Sequence, residues 1–233
     1  MTTARAARLQ LYKYQDNMMK KWSDEAWQAA LPVYRKIIQH PFVDALARGT
    51  LDNERFMFYL RQDSLYLARY SRALTHIASR LADKDHTAAF IRFASDGIAV
   101  EQALHESFLQ GSVPDQNEIS PACLLYTSLL GSQAAAPVEV EAAAVLPCFW
   151  VYQRVGVDIL SRQQGDNPYM RWIETYGDEA FAASTAEAVA ICDSLAEAAG
   201  ADTRRMMTDI FVRCTKMEWM FWDSAWRLEQ WPI

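Results

Sequence analysis

The sequence predicts an all-α protein, with one helical domain over residues 1–233. Only 8 Gly and 8 Pro occur in 233 residues, so few positions interrupt a helix. Apolar residues recur at intervals of three and four along most of the chain, and no persistent two-residue alternation indicates a strand. With 51% hydrophobic and 22% charged residues, the composition is that of a globular protein that buries a sizeable core. A helical bundle is the architecture expected.

Start and stop signals divide this bundle into successive helices. The strongest start is Asp52, a plausible N-cap followed by Glu54 in the first turn. The predicted helices cover residues 5–21, 23–39 with a possible break at Pro32, a short turn from His40-Pro41 to Gly49, 52–81, 84–110, a helix begun by Ser120-Pro121, 137–162, a helix begun by Asn167-Pro168, 178–199 and 203–230.

Charge and hydropathy exclude several classes of function. The net charge is −6 and the Lys and Arg residues form no basic stripe, so we expect no nucleic-acid partner. The longest uncharged apolar stretch, residues 142–152, is too short to span a bilayer. Charged residues interrupt the N-terminal segment before an apolar run forms, which predicts no signal peptide. A cytoplasmic protein with no membrane contact is therefore expected.

Two carboxylates occupy apolar helix faces. Asp63 lies three and four positions after Leu60 and Tyr59, and this spacing turns it toward the interior. Glu218 lies four positions after Cys214 and four before Trp222, with the same consequence. Burial penalises each charge unless partners compensate. Each carboxylate is therefore either a structural group paired with a buried Arg or a Tyr hydroxyl, or part of a functional site.

Cys148 follows a proline inside an otherwise helical segment. Pro147 removes one hydrogen bond of the helix and crowds the carbonyl of Ala143, which predicts a bend there. A thiol at a distorted turn among aromatic residues is a candidate nucleophile. The alternative is a small core residue beside a packing kink, and spacing alone leaves both open.

The chain carries no clear base or metal motif for this thiol. None of the four histidines has motif spacing to any of the four cysteines, so a Cys–His pair is unsupported in sequence, and a carboxylate is the alternative base. Glu101-x-x-x-His105 places both side chains on one helix face and is considered as a metal pair, but the di-iron helical motif is Glu-x-x-His with further carboxylates, and the sequence has no second copy of the pair. No metal site is therefore predicted.

Four blocks in consistent order carry a family resemblance. They are His40-Pro41-Phe42-Val43 with Gly49-Thr50-Leu51, Arg55-Phe56, Tyr59-Leu60, Gln62-Asp63-Ser64 and Tyr66-Leu67; Leu146-Pro147-Cys148-Phe149-Trp150-Val151-Tyr152 with Gly156; Tyr169, Trp172-Ile173, Thr175-Tyr176 and Phe181; and Glu218 with Phe221-Trp222 and Ala225. In these blocks, from about residue 15 to the end, the chain resembles the TenA/thiaminase II family.

The resemblance implies a heme-oxygenase-like all-α fold without heme, a homotetramer, and no cofactor. It also implies hydrolysis of aminopyrimidines. The expected substrate is 4-amino-5-aminomethyl-2-methylpyrimidine, converted with release of ammonia to the hydroxymethyl pyrimidine, and thiamin is a second expected substrate. The role implied is thiamin salvage.

Site residues follow from the same resemblance. It implies Cys148 as the nucleophile that adds to the pyrimidine ring, Glu218 as the acid/base at a ring nitrogen, and Asp63 as the carboxylate that binds the amino edge of the ring. The pocket tyrosines implied are Tyr66, Tyr126, Tyr152 and Tyr176. Ser64, Met217 and Trp219 depart from the family pattern, where tyrosines are common, which affects the expected substrate preference more than the chemistry.

Two other functions remain open at this level. The first is a non-catalytic ligand-sensing or regulatory protein on the same fold, although the acidic charge opposes direct DNA binding. The second is an oxidase related to quinone-cofactor synthesis, which predicts a histidine-rich pocket. The residues at the matching positions are Tyr, Asp, Cys and Glu instead.

Overall fold

The computed structural model describes residues 21–104, 115, 118–163 and 165–233. Within those ranges the chain forms nine α-helices, one 3-10 turn and no β-strand, which confirms the all-α prediction. The helices are α1 (Trp22–Ile38), α2 (Pro41–Ala47), α3 (Asn53–Arg80), α4 (Lys84–Leu104), α5 (Pro121–Ser132), α6 (Val138–Arg162), α7 (Met170–Gly177), α8 (Glu179–Ala198) and α9 (Ala201–Arg227), with the 3-10 turn at Gln133–Ala135. The predicted helix over residues 5–21 and the predicted end of α4 near residue 110 lie outside the described residues.

Side chains cap several of the predicted helix starts. Asp52 accepts hydrogen bonds from the backbone N–H groups of Glu54 and Arg55, and Ser120 accepts one from Cys123. These bonds satisfy N–H groups that have no partner inside the helix. The short helix α2 ends just before Gly49, whose φ of 68° suits the reversal of the chain.

Three boundaries differ from the sequence prediction. Helix α1 runs through Pro32 without a break. The helix expected to begin at Asn167-Pro168 starts instead at Met170, because the Asn167 amide donates to the Leu46 carbonyl at 2.8 Å and its side-chain oxygen accepts from Tyr169 N–H. The last helix ends at Arg227 rather than at residue 230, because Leu228 adopts a left-handed conformation with a φ of 49°.

Helices α6 and α9 pack against each other at the centre of the bundle. Helix α3 packs on both, α5 packs on α3 and α9, and α7 lies on α6. Helix α6 is long and apolar enough to meet the length and composition of a membrane span, but 61% of its most apolar window is buried inside the protein. That burial, among packed neighbouring helices, is typical of the central helix of a bundle.

Candidate active site

The three predicted catalytic side chains converge from three helices. Asp63 of α3 is 4% exposed and Glu218 of α9 is 1% exposed, so both carboxylates face the interior as their spacing predicts. Cys148 of α6 lies close enough to both for their negative charges to raise its pKa. Helix α6 continues through Pro147, and the Tyr70 hydroxyl donates to the Val145 carbonyl, at 2.9 Å, just before the proline.

Glu218 is a buried carboxyl group that is hydrogen-bonded to a tyrosine hydroxyl. Its Oε1 accepts a 2.6 Å hydrogen bond from the Tyr126 hydroxyl, and within the described ranges no basic side chain forms an ion pair with it. Burial raises the pKa of Glu218 from 4.5 to about 8, the Tyr126 hydrogen bond opposes that rise, and the charge of Asp63 adds to it. Glu218 therefore holds a proton near neutral pH.

Cys148 differs from the other three cysteines in its exposure. Cys123, Cys192 and Cys214 are buried, whereas Cys148 keeps part of its surface accessible although it lies deep in the protein. Burial and the nearby Glu218 raise the pKa of this thiol well above its usual value, so in the unliganded protein the group is a thiol rather than a thiolate.

Tyrosine hydroxyls surround the Cys148 sulfur. Tyr66 and Tyr70 lie close enough to the sulfur for their side chains to lower the pKa of the thiol, which offsets part of the effect of burial. The Tyr66 hydroxyl is fully buried and has no hydrogen-bond partner within the described part of the chain. Its ring stacks against Tyr70 at 5.4 Å and lies 4.9 Å from the ring of Tyr126. The Tyr66 hydroxyl is therefore placed to donate to a thiolate once one forms, whereas the Tyr70 hydroxyl already donates to the Val145 carbonyl.

The remaining predicted tyrosines form the wall on the side of α7. The Tyr152 ring lies 5.2 Å from Tyr176 and 5.2 Å from Trp222. Tyr176 is also within hydrogen-bonding reach of Asp63. Burial raises the pKa of all four predicted tyrosines well above its usual value. All seven predicted site residues therefore lie in one buried region lined by aromatic rings.

Two further tyrosines belong to this region and were not predicted from the sequence as site residues. The Tyr59 hydroxyl donates to that of Tyr152 at 3.3 Å, and its ring stacks on Trp222 at 5.1 Å with 6° between the planes. Tyr70 contacts the sulfur of Cys148 as described above. Their spacing from Asp63, four positions before and seven after, places both on the same face of α3 and was a signal available in the sequence.

A metal site finds no support in the described ranges. They contain no group of three His, Cys, Asp or Glu side chains placed to hold an ion. The Glu101–His105 pair considered from the sequence lies outside the side chains that the structure describes.

Comparison with known proteins identifies relatives of this chain in sequence and in structure. The chain is 34% identical to the thiamine biosynthesis multifunctional protein ThiED of Corynebacterium efficiens over 204 residues, which are 86% of this chain but only 28% of that protein. It is 33% identical to the aminopyrimidine aminohydrolase of Bacillus subtilis over 217 residues, or 91% of this chain and 92% of the relative. The structure of a TenA homologue from P. horikoshii OT3 superposes with a TM-score of 0.78 at 27% identity, covering 89% of this chain and 99% of the other.

The family model described as TENA/THI-4/PQQC matches residues 27–228. That range includes every residue of the predicted site and all helices from α2 to α9. The chain therefore belongs to the TENA/THI-4/PQQC family.

Proposed function

We propose that the protein is an aminopyrimidine aminohydrolase of thiamin salvage. Its proposed substrate is 4-amino-5-aminomethyl-2-methylpyrimidine, which it converts with water to the hydroxymethyl pyrimidine and ammonia, and thiamin is a second proposed substrate. The support is the family membership together with the B. subtilis relative of that name, which matches over nearly its whole length.

The observation that carries this proposal is the pairing of Glu218 with Cys148. A carboxyl group whose pKa is about 8 is a proton donor at neutral pH, and it stands beside a thiol that keeps accessible surface. A pyrimidine ring becomes electrophilic when a ring nitrogen is protonated. The two groups together supply the acid and the nucleophile that this ring chemistry needs.

The proposed reaction begins with addition to the ring. Glu218 gives its proton to a ring nitrogen while the sulfur of Cys148 bonds to a ring carbon, and the thiol proton passes to the Asp63 carboxylate. The electron pair gained by the ring then expels the amine from the exocyclic methylene, and Asp63 gives it the proton with which it leaves as ammonia. Water adds to the methylene and gives a proton to Asp63. The carbon–sulfur bond then breaks, the ring nitrogen returns its proton to Glu218, and Asp63 returns a proton to the sulfur.

The aromatic side chains have two roles in this scheme. The rings of Tyr66, Tyr126, Tyr152 and Tyr176 fix the plane of a flat heteroaromatic substrate. They also exclude bulk water, which strengthens the interaction between the ring nitrogen and Glu218. Asp63 on the same face is a carboxylate acceptor for an exocyclic amino group.

Turnover of the aminomethyl pyrimidine and of thiamin by purified protein tests the proposal. We expect wild-type protein to release ammonia or thiazole, and Cys148→Ser to lose turnover while still binding the pyrimidine. Cys192→Ala, at a buried cysteine outside the site, is the matched control and is expected to keep full activity. If wild type and Cys148→Ser are equally inactive on both compounds, the hydrolase proposal is wrong.

The same assay, read together with pyrimidine binding, distinguishes the hydrolase from the regulatory protein considered above. A sensor on this fold would bind the pyrimidine in wild type and in Cys148→Ser with no product from either. The cytoplasmic location and the homotetramer stay predictions, and sedimentation velocity of the purified chain tests the second.

A further inference from the structure

Helices α6 and α7 come into direct backbone contact at Gly156. A Cβ atom at this position would lie 2.6 Å from the carbonyl oxygen of Tyr176 and 2.8 Å from its carbonyl carbon. Both distances are shorter than Cβ contacts in proteins, so among the amino acids only glycine permits this approach. Because the obstructing atoms belong to the backbone, no side-chain rotation relieves the contact.

This crossing lies beside the aromatic wall of the site. Tyr152 is one helical turn before Gly156, on the same face of α6. Its ring is 5.2 Å from that of Tyr176, and Tyr176 packs on Trp172 of α7 at 4.7 Å. The depth at which α7 lies on α6 therefore sets how far the Tyr176 side chain reaches toward Tyr152.

We infer that Gly156 is a positioning residue for Tyr176. Its missing side chain lets α7 lie deep enough on α6 for Tyr176 to complete the substrate wall. The kinetic consequences of this inference rest on the proposed function, whereas its structural consequence does not. Displacements of about 1 Å in a site cost up to about a hundredfold in rate, so a side chain at 156 is expected to be felt in substrate binding.

Gly177 provides a contrast at the same crossing. A Cβ atom there would meet Cδ1 of Leu160 at 2.1 Å, but that atom is the tip of a flexible side chain. Gly177→Ala is therefore relieved by rotation of Leu160, and α7 keeps its depth. The two glycines share one helix crossing and differ in what obstructs a side chain.

The first test compares alanine at Gly156 with alanine at two control glycines where a Cβ atom meets no close contact. In a crystal structure of Gly156→Ala we expect α7 to move away from α6 and the Tyr152–Tyr176 ring distance to lengthen. The KM for the aminomethyl pyrimidine is expected to rise about tenfold, with a smaller change in kcat. Gly131→Ala, where a Cβ meets nothing within 4 Å, and Gly97→Ala, where the nearest atom is Ser71 Oγ at 3.7 Å, are expected to leave KM unchanged.

A double-mutant cycle distinguishes an effect of Gly156 on the position of Tyr176 from an effect on the stability of the protein. In a Tyr176→Ala background, Gly156→Ala is expected to change KM by less than about twofold, because its effect passes through Tyr176. Leu160→Ala loosens the same crossing without a clash. Its smaller rise in KM is expected to disappear in the Tyr176→Ala background, and this variant decides the question if Gly156→Ala does not fold.

An unmoved Tyr176 in the Gly156→Ala structure would overturn the inference, as would additive effects on KM for both Gly156→Ala and Leu160→Ala. If wild-type protein fails to turn over the pyrimidine, the proposed function is wrong. The displacement of Tyr176 in the crystal structure then still decides the role of Gly156.

Discussion

Two glutamates with nearly equal burial have different partners in this protein. Glu141 of α6 is 2% exposed and Glu218 of α9 is 1% exposed. Arg80 donates a 2.6 Å hydrogen bond to one oxygen of Glu141, and Nδ1 of His76 lies 2.7 Å from the other. Among the residues that the structure describes, Glu218 accepts a hydrogen bond only from the hydroxyl of Tyr126. Burial alone therefore does not distinguish a structural carboxylate from a functional one.

The difference lies in how each negative charge is compensated. The guanidinium of Arg80 lies against the Glu141 carboxyl group and compensates a buried negative charge there, so this contact joins α3 to α6. A carboxyl group with only a neutral hydrogen-bond donor keeps its proton, and the pKa of Glu218 is raised to about 8 accordingly. The first arrangement fixes two helices, whereas the second keeps a transferable proton in an aromatic site.

The largest predicted effect is on turnover. Glu218→Gln keeps the shape of the side chain but removes the transferable proton, so we expect kcat to fall by about 10²- to 10⁴-fold with little change in pyrimidine binding. Steady-state kinetics and calorimetry measure the two quantities. Equal losses of turnover and binding would instead indicate a structural carboxylate.

The matched substitution Glu141→Gln is expected to lower stability and to leave turnover unchanged. It replaces one of the two acceptor oxygens that face Arg80 and His76 with an amide donor, which is expected to lower the free energy of unfolding by about 1–3 kcal/mol and to leave kcat and KM unchanged. Denaturant unfolding measures the loss. A drop in kcat as large as that of Glu218→Gln would erase the distinction between the two glutamates.

The sequence predicted one of these glutamates and missed the other. Period-3.6 spacing identified Asp63 and Glu218 because polar neighbours mark the outer faces of α3 and α9. Glu141 stands next to an alanine-rich run that is apolar on all sides, so no face could be assigned to it. Its partner Arg80 is 61 positions away, and only the packing of α3 on α6 brings the two together.

The candidate site as a whole could also be predicted only in part from the sequence. The family blocks anticipated the convergence of Cys148, Asp63 and Glu218, and the helical pattern anticipated the fold. The hydrogen bond from Tyr126 to Glu218 depends on how α5 packs on α9, which no local pattern encodes. The single domain and the roles of the site residues stay predictions.

The third prediction concerns stability against pH. Since folding raises the pKa of Glu218 from 4.5 to about 8, the folded state binds more protons than the unfolded state between these values. Wild-type protein therefore loses stability as pH rises through this window, by up to about 1.4 kcal/mol per pH unit from this group. Relative to wild type, Glu218→Gln is expected to gain stability as the pH rises. A constant difference between the two proteins across the window would contradict the raised pKa.

The fourth prediction is a shift in the pH profile of activity. Tyr126→Phe removes a hydrogen bond that lowers the pKa of Glu218, so the alkaline limb of kcat/KM, expected near pH 8 in wild type, should move to higher pH. We expect kcat/KM at neutral pH to fall about tenfold. Tyr169→Phe, which removes a hydroxyl bonded to the Leu51 carbonyl outside the site, should leave the profile in place.

The smallest predicted effect concerns Tyr59. Tyr59→Phe keeps the ring that stacks on Trp222 and removes only the hydroxyl that donates to Tyr152. We expect KM to rise about threefold to tenfold, in line with the loss of one neutral hydrogen bond, with kcat nearly constant. An unchanged KM would remove Tyr59 from the site.

Direct observation of the Glu218 proton tests the central claim. Infrared difference spectra between wild type and Glu218→Gln, recorded across a pH titration, isolate the carbonyl stretch of this one carboxyl group. We predict that the protonated band persists at neutral pH and disappears with a midpoint near pH 8. A band that is already lost at pH 6, well below that midpoint, would contradict this prediction, because Glu218 would then be an ionised carboxylate at neutral pH.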